Sequence, residues 1–378
     1  NLSSGIQRVS LSSTPGPGSG LVVNTTNLDM AQLGDLLGLS SLQADGRING
    51  NVVVANTFTN TEVSTNIRAS GVKLGSDTVG AINVVGRWDV VKKMLYIDPQ
   101  TGIYRDHASV SASGQVALDS AAAEKINGAI TFNNARVAWA APFLTGLFSN
   151  IRGAVNGTVS VTGSNDKPVM EGKLTVSDVG FRLDYLGCNY TIPKASIGIT
   201  NQRISLGQIQ VFDSYRNVAL LSGYFSHELF NKMRMRLKVT TPKMELMNLA
   251  RNENDMFYGK MIAGMDSFTI RGPFNNIRLN LYNGYPAAKS VLYIPSSSGG
   301  YVGAYSYVSF KTYGAEPEKA DRRTKDKISI NLDANLNELA EIHIVMDAAT
   351  GDEIVATGKG NVQMDIPPSN DMRLSGLY

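Results

Sequence analysis

The sequence is poor in the residues that most often carry chemistry. It has one cysteine, Cys188, and three histidines among 378 residues. A single cysteine cannot form an intramolecular disulfide, which excludes a cystine-stapled fold and leaves the redox compartment open. The histidines, His107, His227 and His343, stand singly, without a second ligand at metal spacing. Neither a nucleophile elbow nor a phosphate-binding loop is present. We therefore predict no catalytic residue, no metal, no cofactor and no enzymatic activity.

Charge of one sign and long apolar runs are also scarce. The net charge is +3, from 35 Lys and Arg against 32 Asp and Glu. A value this small over the whole chain predicts no basic stripe and no nucleic-acid partner. The most apolar window, residues 138–144, is far short of the ~20 residues that a membrane helix needs. With 43% hydrophobic and only 18% charged residues, the chain is not typical of a disordered protein, and its low charge indicates a covered apolar surface.

Alternation of apolar and polar residues is the dominant pattern. It is cleanest at residues 233–239, Met-Arg-Met-Arg-Leu-Lys-Val, and recurs at 277–281 and 328–336. Side chains of a strand alternate between two faces, so these segments predict strands with one apolar face. Gly and Asn clusters between them are typical of hairpin turns. The sequence predicts a mainly β fold, an elongated, rolled antiparallel sheet or gutter with an apolar interior and a few short helices.

Three segments have helical spacing of their apolar residues. The first is 28–39, and the second is a short helix with Pro142 in its first turn. The third is 242–258, with Thr241 as the N-cap, a proline at the first position and Gly259 as the stop.

An internal repeat is visible in the chain. Residues 46–54, Gly-Arg-Ile-Asn-Gly-Asn-Val-Val-Val, align with residues 153–161, Gly-Ala-Val-Asn-Gly-Thr-Val-Ser-Val, and the alignment continues without a gap to residues 72 and 179. Each copy follows one of the first two predicted helices. We interpret the repeat as one unit of a short helix and hairpins used at least twice.

Several segments together resemble a known family. They are 157–176 (Gly-Thr-Val-Ser-Val-Thr-Gly-Ser-Asn-Asp-Lys-Pro-Val-Met-Glu-Gly-Lys-Leu-Thr-Val), 181–185 (Phe-Arg-Leu-Asp-Tyr), 254–259 (Asn-Asp-Met-Phe-Tyr-Gly), 270–276 (Ile-Arg-Gly-Pro-Phe-Asn-Asn) and 344–354 (Ile-Val-Met-Asp-Ala-Ala-Thr-Gly-Asp-Glu-Ile). In this order they resemble the C-terminal half of TamB-like proteins, the translocation and assembly module subunits, in their Bacteroidetes form. The resemblance covers about residues 150–378. The helix-and-hairpin units before it are similar to the wider AsmA-like superfamily.

The resemblance implies a function and a location. Family members form a β-taco in the periplasm between the inner and outer membranes. They are similar to bridge-like lipid transfer proteins, and are expected to carry phospholipid and to assist assembly of outer-membrane proteins. The implied partners are phospholipid acyl chains, an Omp85-type (TamA-like) outer-membrane barrel that docks beyond Tyr378, and the inner membrane through an N-terminal anchor outside this chain.

Four regions follow from these patterns. We predict an AsmA-like helix-and-hairpin segment at 1–152 and a TamB-type β-taco segment at 153–313. A charged loop, solvated or disordered, follows at 314–327, and further β-taco strands at 328–378.

The candidate lipid groove is the apolar face of the predicted strands. Its residues are Val159, Val161, Leu174, Val176, Phe181, Leu183, Met233, Met235, Leu237, Val239, Ile270, Leu279, Leu281, Ile330, Leu332, Ile342 and Ile344. From alternation alone, packing against protein is the commoner role for each of them. The resemblance implies that they face lipid. Two alternatives stay open, a scaffold or chaperone that pairs with nascent outer-membrane strands and has a dry core, and a structural envelope protein.

Overall fold

Strands account for most of the chain. The computed structural model describes residues 2–14, 19–31, 44–57, 60–74, 77–118, 125–143, 148–164, 167–228, 231–254, 257–295, 327–347, 350–368 and 373–377. The strands of its first half are β1 (Leu2–Ser4), β2 (Gln7–Thr14), β3 (Gly20–Asp29), β4 (Ala44–Ala55), β5 (Glu62–Leu74), β6 (Asp77–Asp89), β7 (Met94–Arg105), β8 (Ala108–Ala117), β9 (Ile126–Arg136), β10 (Phe148–Ser164) and β11 (Lys167–Leu183). Those of its second half are β12 (Cys188–Thr200), β13 (Arg203–Phe212), β14 (Val218–Glu228), β15 (Asn231–Leu249), β16 (Tyr258–Pro273), β17 (Asn276–Pro286), β18 (Ser290–Pro295), β19 (Lys327–Leu336), β20 (Ala340–Asp347), β21 (Asp352–Thr357), β22 (Gly360–Ile366) and β23 (Arg373–Leu377).

All 23 strands belong to one mixed sheet that does not close on itself. From β1 to β10 each strand pairs antiparallel with the next in the chain. The same holds from β14 to β17. The prediction of a mainly β chain built on an open, hairpin-connected sheet is therefore confirmed. Two strand pairs, β17–β19 and β18–β20, are parallel and so differ from the predicted antiparallel arrangement.

The chain divides into two compact units. Unit 1 comprises residues 1–145, 151–179 and 194–204, and unit 2 comprises residues 146–150, 180–193 and 205–378.

Unit 1 contains the sequence repeat, and the repeat is structural. In the first copy the backbone N–H of Asn27 donates to Oδ1 of Asn49, 2.9 Å away. In the second copy Asn134 donates to Asn156 in the same way, at 2.8 Å. Both donors have left-handed backbone conformations, with φ of 57° and 48°. An asparagine side chain thus satisfies the same irregular strand position twice, at a register shift in each copy, which supports a duplicated unit.

The cores of unit 1 also follow the predicted alternation. One cluster is built on Val72, which is completely buried, with Ala69 and Val79. Another joins Val159 and Leu174 to Met170 and Ile199. In both clusters the apolar face of a strand packs against protein side chains.

Unit 2 forks at β16. Residues 263–271 of β16 pair with β17, whereas residues 258–260 pair with β18. β17 pairs in parallel with β19, which continues antiparallel to β22 and β23. β18 pairs in parallel with β20, which continues antiparallel to β21. We call β17, β19, β22 and β23 the first branch, and β18, β20 and β21 the second branch.

The predicted helix at 242–258 is wrong. The segment is the second half of β15, followed by a turn at 251–253 and by β16 from Tyr258. Three register irregularities interrupt its pairing with β16. Each irregularity shifts the inward side chains along the strand, so that Met244 and Met247 are both buried at a spacing of three. This spacing imitates a helix, and pairing with the neighbouring strand overrides local propensity.

The other two predicted helices correspond only in part to the structure. The 3-10 helix of the structure runs from Val137 to Phe143, so Pro142 lies near its end rather than in its first turn. Residues 28 and 29 belong to β3, residues 30 and 31 are helical, and 32–39 lie outside the described residues. The predicted charged loop also falls outside them, except for Lys327, which begins β19.

Candidate functional site

The two branches of unit 2 enclose an apolar cavity of about 340 Å³. Residues 287–289 connect β17 to β18, and residues 337–339 connect β19 to β20. The chain therefore crosses from the first branch to the second twice, in the same direction, which explains the parallel pairs. The two branches form the walls of the cavity, and the two crossings form its corner.

Hydrogen bonds hold this corner together. The Ser290 N–H donates to the carbonyl of Leu339 at 2.8 Å. The Ser290 hydroxyl accepts from the N–H of Ile262 at 3.0 Å. The Asn337 side chain donates to the Pro286 carbonyl at 2.9 Å. These bonds satisfy backbone groups that lose their strand partners where the chain crosses from one branch to the other. They thereby hold the two walls in place relative to each other.

The cavity lining is almost wholly aliphatic. Its residues are Leu246, Met261, Ala263, Leu281, Gly284, Tyr285, Pro286, Ser290, Leu292, Ile294, Leu332, Ala334, Leu336, Ala340, Glu341, Ile342, Ile344, Ala356, Val362, Met364, Ser375 and Gly376. None of these is a lysine, arginine or histidine. The described lining therefore offers an alkyl group a favourable environment and offers an anionic group no counter-charge.

Small residues explain why space remains between the walls. On the first branch Gly284, Ala334, Val362 and Gly376 lie opposite one another on successive strands. This row carries little side-chain volume. In the neighbouring row Leu281, Leu332 and Met364 carry much more. The hollow follows the small row, since the backbone spacing of a sheet does not change with side-chain size.

All seventeen predicted groove residues are buried or half-buried. Four of them, Leu281, Leu332, Ile342 and Ile344, line the cavity. Ile330 packs against the adjoining core cluster of Met247, Leu249, Phe257, Ile294, Met364 and Ile366. The remaining residues are not among those that line this cavity. They include Val159, Val161 and Leu174, which belong to a packed core cluster of unit 1.

Most of the cavity lining was missed by sequence reasoning. The strongest omissions are Leu292 and Ile294 on β18 and Val362 and Met364 on β22. Each pair shows the period-two alternation that identified the other strands. The alternation is therefore present in β18 and β22, but only over a few residues. The alternation at 328–336 also included Ala334 and Leu336, which do line the cavity.

A buried polar cluster lies at the bulged half of β15. Glu245 is only 1% exposed, and its backbone N–H donates to Oδ2 of Asp213 at 2.8 Å. Tyr190 donates to the Glu245 carbonyl at 2.9 Å. Burial raises the pKa of Glu245, the Lys260 ammonium 3.9 Å away opposes the shift, and the Asp213 charge adds to it. The cluster ties three chain segments to the bulged strand.

The cysteine of the chain lies in this cluster, and its thiol is unreactive. Cys188 is fully buried. Burial, together with the nearby Glu245 charge, raises the pKa of its thiol to about 12. The thiol therefore stays protonated at neutral pH and is a poor nucleophile there.

Neither a metal-binding cluster nor a membrane-spanning helix occurs among the described residues. They contain no group of three or more His, Cys, Asp or Glu side chains placed to hold a metal ion. In the same part of the chain, no helix has the length and apolar character needed to cross a membrane.

Comparisons with known proteins leave the family open. No protein-family model, no curated protein and no solved structure matches this chain. The similarity to TamB-like proteins consequently remains a resemblance of sequence segments.

Proposed function

We propose that this chain shields lipid acyl chains from water in the apolar space between its strands, as part of a conduit for phospholipid between two membranes. The observation that supports the proposal is the cavity between the two branches of unit 2, with its aliphatic lining. Its volume of about 340 Å³ lies within the range of ~300–1,000 Å³ typical of ligand sites. The periplasmic location, the inner-membrane anchor, the Omp85-type partner and the help to outer-membrane protein assembly are taken into the proposal from the sequence resemblance.

The physical need for such a space is large. Each methylene moved from water to an apolar environment gains ~0.8 kcal/mol, so one exposed acyl chain of a phospholipid carries a penalty of roughly 10 kcal/mol. Mostly aliphatic walls remove this penalty and bind no part of the chain much better than the next. Smooth passage requires that evenness. The lining has no cationic partner for the phosphate of a head group, which would remain in water.

Photocrosslinking tests the proposal. The probe is phosphatidylcholine with a diazirine at the end of one acyl chain, incubated with the whole chain and irradiated. We expect adducts on cavity-lining residues such as Leu332 and Ile342, identified by mass spectrometry. Val362→Trp, which fills the cavity from the first branch, should remove most of these adducts.

The matched control is the neighbouring residue of the same strand. Gln363 is exposed and lies outside the cavity lining. Gln363→Trp adds the same bulk on the other face and should leave the adducts unchanged. Equal labelling of both variants, in folded protein, would show that the probe does not enter the cavity and would refute the proposal.

A second candidate function rests on strand β21. Among the described residues it pairs on one side only, with β20. Its Ile354 and Val355 are 54% and 51% exposed. An apolar edge strand with unpaired backbone groups can accept an added strand, as a scaffold for nascent outer-membrane strands would require.

Hydrogen exchange distinguishes this second function. A peptide with the alternating sequence of a transmembrane strand should slow exchange of the outward amides of residues 352–357 if it adds to the edge. The amides of residues 340–347, already paired with both neighbours, are the internal reference. Unchanged exchange at 352–357 under saturating peptide would exclude strand addition at this edge.

A further inference from the structure

Three arginines stand side by side on the polar face of unit 2. Arg236 of β15 lies directly opposite Arg271 of β16, which lies directly opposite Arg278 of β17. Residues opposite one another on adjacent strands share a face, with their Cβ atoms ~4.5–5.5 Å apart. The row ends in uncharged residues on both sides, Tyr224 on β14 and Ser329 on β19. We call these three residues the arginine row.

Two more cations extend the arginine row along β15. Arg234 and Lys238 lie two residues before and after Arg236, hence on the same face. All five side chains are exposed. Among the described residues none of the five forms an ion pair with a carboxylate. The expectation that the chain has no basic stripe is therefore wrong at this place, because strand register gathers charges that are distant in sequence.

Three arginines of other strands have acidic partners. Arg47 pairs with Asp29 at 3.1 Å, and Arg87 pairs with Glu62 at 3.3 Å. Arg136 pairs with Asp106 at 2.6 Å. In each case the acid comes from another strand or turn. Asp365 lies opposite Asn331 and so belongs to the next row, two strands beyond Arg278.

Like charges directly opposite one another destabilise a sheet. The cost of the arginine row is reduced when an anion from outside supplies the missing counter-charge. A flat face does not surround a single small anion with donors, whereas a surface that presents many anionic groups can contact several arginines at once.

We infer that the arginine row is a docking surface for a membrane that displays anionic phospholipid head groups. The five cations lie on three adjacent strands of one face, which suits contact with an extended array of phosphates. A nucleic acid offers phosphates too, but its single strands are bound through aromatic platforms, and Tyr224 is the only aromatic residue at this row. The inference does not depend on occupation of the cavity, because none of the five cations lines it.

Vesicle flotation with the whole chain tests the inference. We expect flotation with vesicles of phosphatidylcholine and phosphatidylglycerol, and little with phosphatidylcholine alone. The triple variant Arg236→Gln, Arg271→Gln, Arg278→Gln should bind the anionic vesicles roughly a hundredfold more weakly, since each cation near an anionic surface is worth about a factor of five. Its thermal midpoint should not fall, because the substitutions remove repulsion.

The matched control removes the same net charge elsewhere. Arg47→Gln, Arg87→Gln and Arg136→Gln together neutralise three arginines that have acidic partners, and should change vesicle binding only a few-fold. If both triple variants weakened vesicle binding equally, net charge alone would explain the binding and the inference would be overturned. Val362→Trp should retain vesicle binding, so a failure of the cavity proposal and a failure of this one are distinguishable.

Two further experiments, competition by inorganic phosphate and binding of an oligonucleotide, identify the source of the anion. Inorganic phosphate should not displace the chain from vesicles beyond the effect of chloride at equal ionic strength. Specific displacement by phosphate would indicate a free-anion site instead. Binding of a single-stranded oligonucleotide as tightly as anionic vesicles, with the same loss in the triple variant, would assign the surface to nucleic acid and overturn the membrane inference.

Discussion

Two buried ionisable side chains, Glu245 and His343, interrupt the apolar interior at the scale of single residues. Glu245 is buried with its Oε1 lacking a hydrogen-bond donor among the described residues. His343 is 7% exposed, and its ring is tilted by 33° against the Tyr293 ring, with the two centroids 4.4 Å apart. Each lies on a strand whose alternate residues point inward, and each has a pKa that its surroundings shift.

We expect Glu245→Gln to stabilise the protein at neutral pH. The raised pKa means that ionised Glu245 opposes folding, so its contribution to stability is present below the unfolded pKa of about 4.3 and is lost as pH rises through the folded pKa. The glutamine has no charge to bury, so the variant should be more stable than wild type by about 1 kcal/mol at pH 7. The difference should shrink towards pH 4, measured by urea denaturation.

Glu253 provides a control of opposite sign. The Ala250 N–H and Arg182 hold the pKa of Glu253 below its usual range. Its contribution is present above the unfolded pKa, so Glu253→Gln should lose stability at pH 7. A Glu245→Gln variant that loses stability there as well would mean that the Glu245 carboxylate is better compensated than its surroundings indicate.

The stability contributed by His343 should decline as the pH rises above about 6.5. Burial alone would lower the pKa of His343, but Glu341 at 2.7 Å and Glu353 at 3.1 Å outweigh it, so the pKa is raised. Its stabilisation is therefore complete below the unfolded pKa of about 6.5 and is lost as pH rises through the folded pKa. NMR titration of the His343 ring should give a pKa above 6.5, and Glu353→Gln should lower it. A value below 6.5 in wild type would contradict the assignment.

At the scale of the element, strand pairing decides conformations that local sequence leaves open. The bulged half of β15 shows this most clearly. Its Thr241 has the sequence character of a helix cap, yet its hydroxyl donates to the Val218 carbonyl of β14 at 2.7 Å. Pro242, which cannot donate to a ladder, is exposed and lies within the register irregularity between Thr241 and Met244. A bulge accommodates a proline that a regular central strand would exclude.

The duplicated unit makes a paired prediction. Gly50 and Gly157 occupy the same position in the two copies and have φ of 145° and 136°. A Cβ on Gly157 would lie 2.5 Å from the Lys173 carbonyl oxygen, and one on Gly50 would meet the Asn66 carbonyl oxygen. Each alanine substitution should therefore destabilise the protein by ~1 kcal/mol or more, measured by urea denaturation.

Gly207 is the control for that pair. No atom lies within 4 Å of a Cβ built there. Gly207→Ala should be neutral or slightly stabilising. If Gly50→Ala and Gly157→Ala differed greatly from each other, the two copies would not be equivalent in structure.

At the scale of the whole molecule, unit 2 carries an apolar cavity and a cationic row that share strand β17. Ligand binding to the cavity should appear as a change in global stability. An alkyl ligand at a hundredfold excess over its Kd should raise the free energy of unfolding by about 2.7 kcal/mol. Hydrogen exchange should slow in β17, β19, β20 and β22 of unit 2, and should not change in β4 and β5 of unit 1.

The cavity-filling variant separates this effect from non-specific binding. Val362→Trp should abolish the ligand-dependent stabilisation, whereas Gln363→Trp should keep it. Stabilisation that persists in Val362→Trp would place the ligand elsewhere on the molecule.

The sequence by itself determined that the chain is mainly strand, which face of the regularly alternating segments is apolar, and the duplicated unit. Met235 and Leu237 alternate with arginines, and such a pattern has one stable arrangement in a sheet, because a shift by one residue would expose the apolar face. Equivalent asparagines and glycines in the two copies need the same special backbone conformations, so the repeat could be read from residue identities alone.

Only the tertiary structure decided how those faces are used. Alternation does not encode which strands pair, so it could not place Arg236, Arg271 and Arg278 in one row or set Leu332 and Ile342 on opposite walls of a cavity. It also could not distinguish β15 from a helix where bulges change the spacing of buried residues. Pairing over long sequence separations fixes all three features, because their energy lies in contacts between strands and not within any one of them.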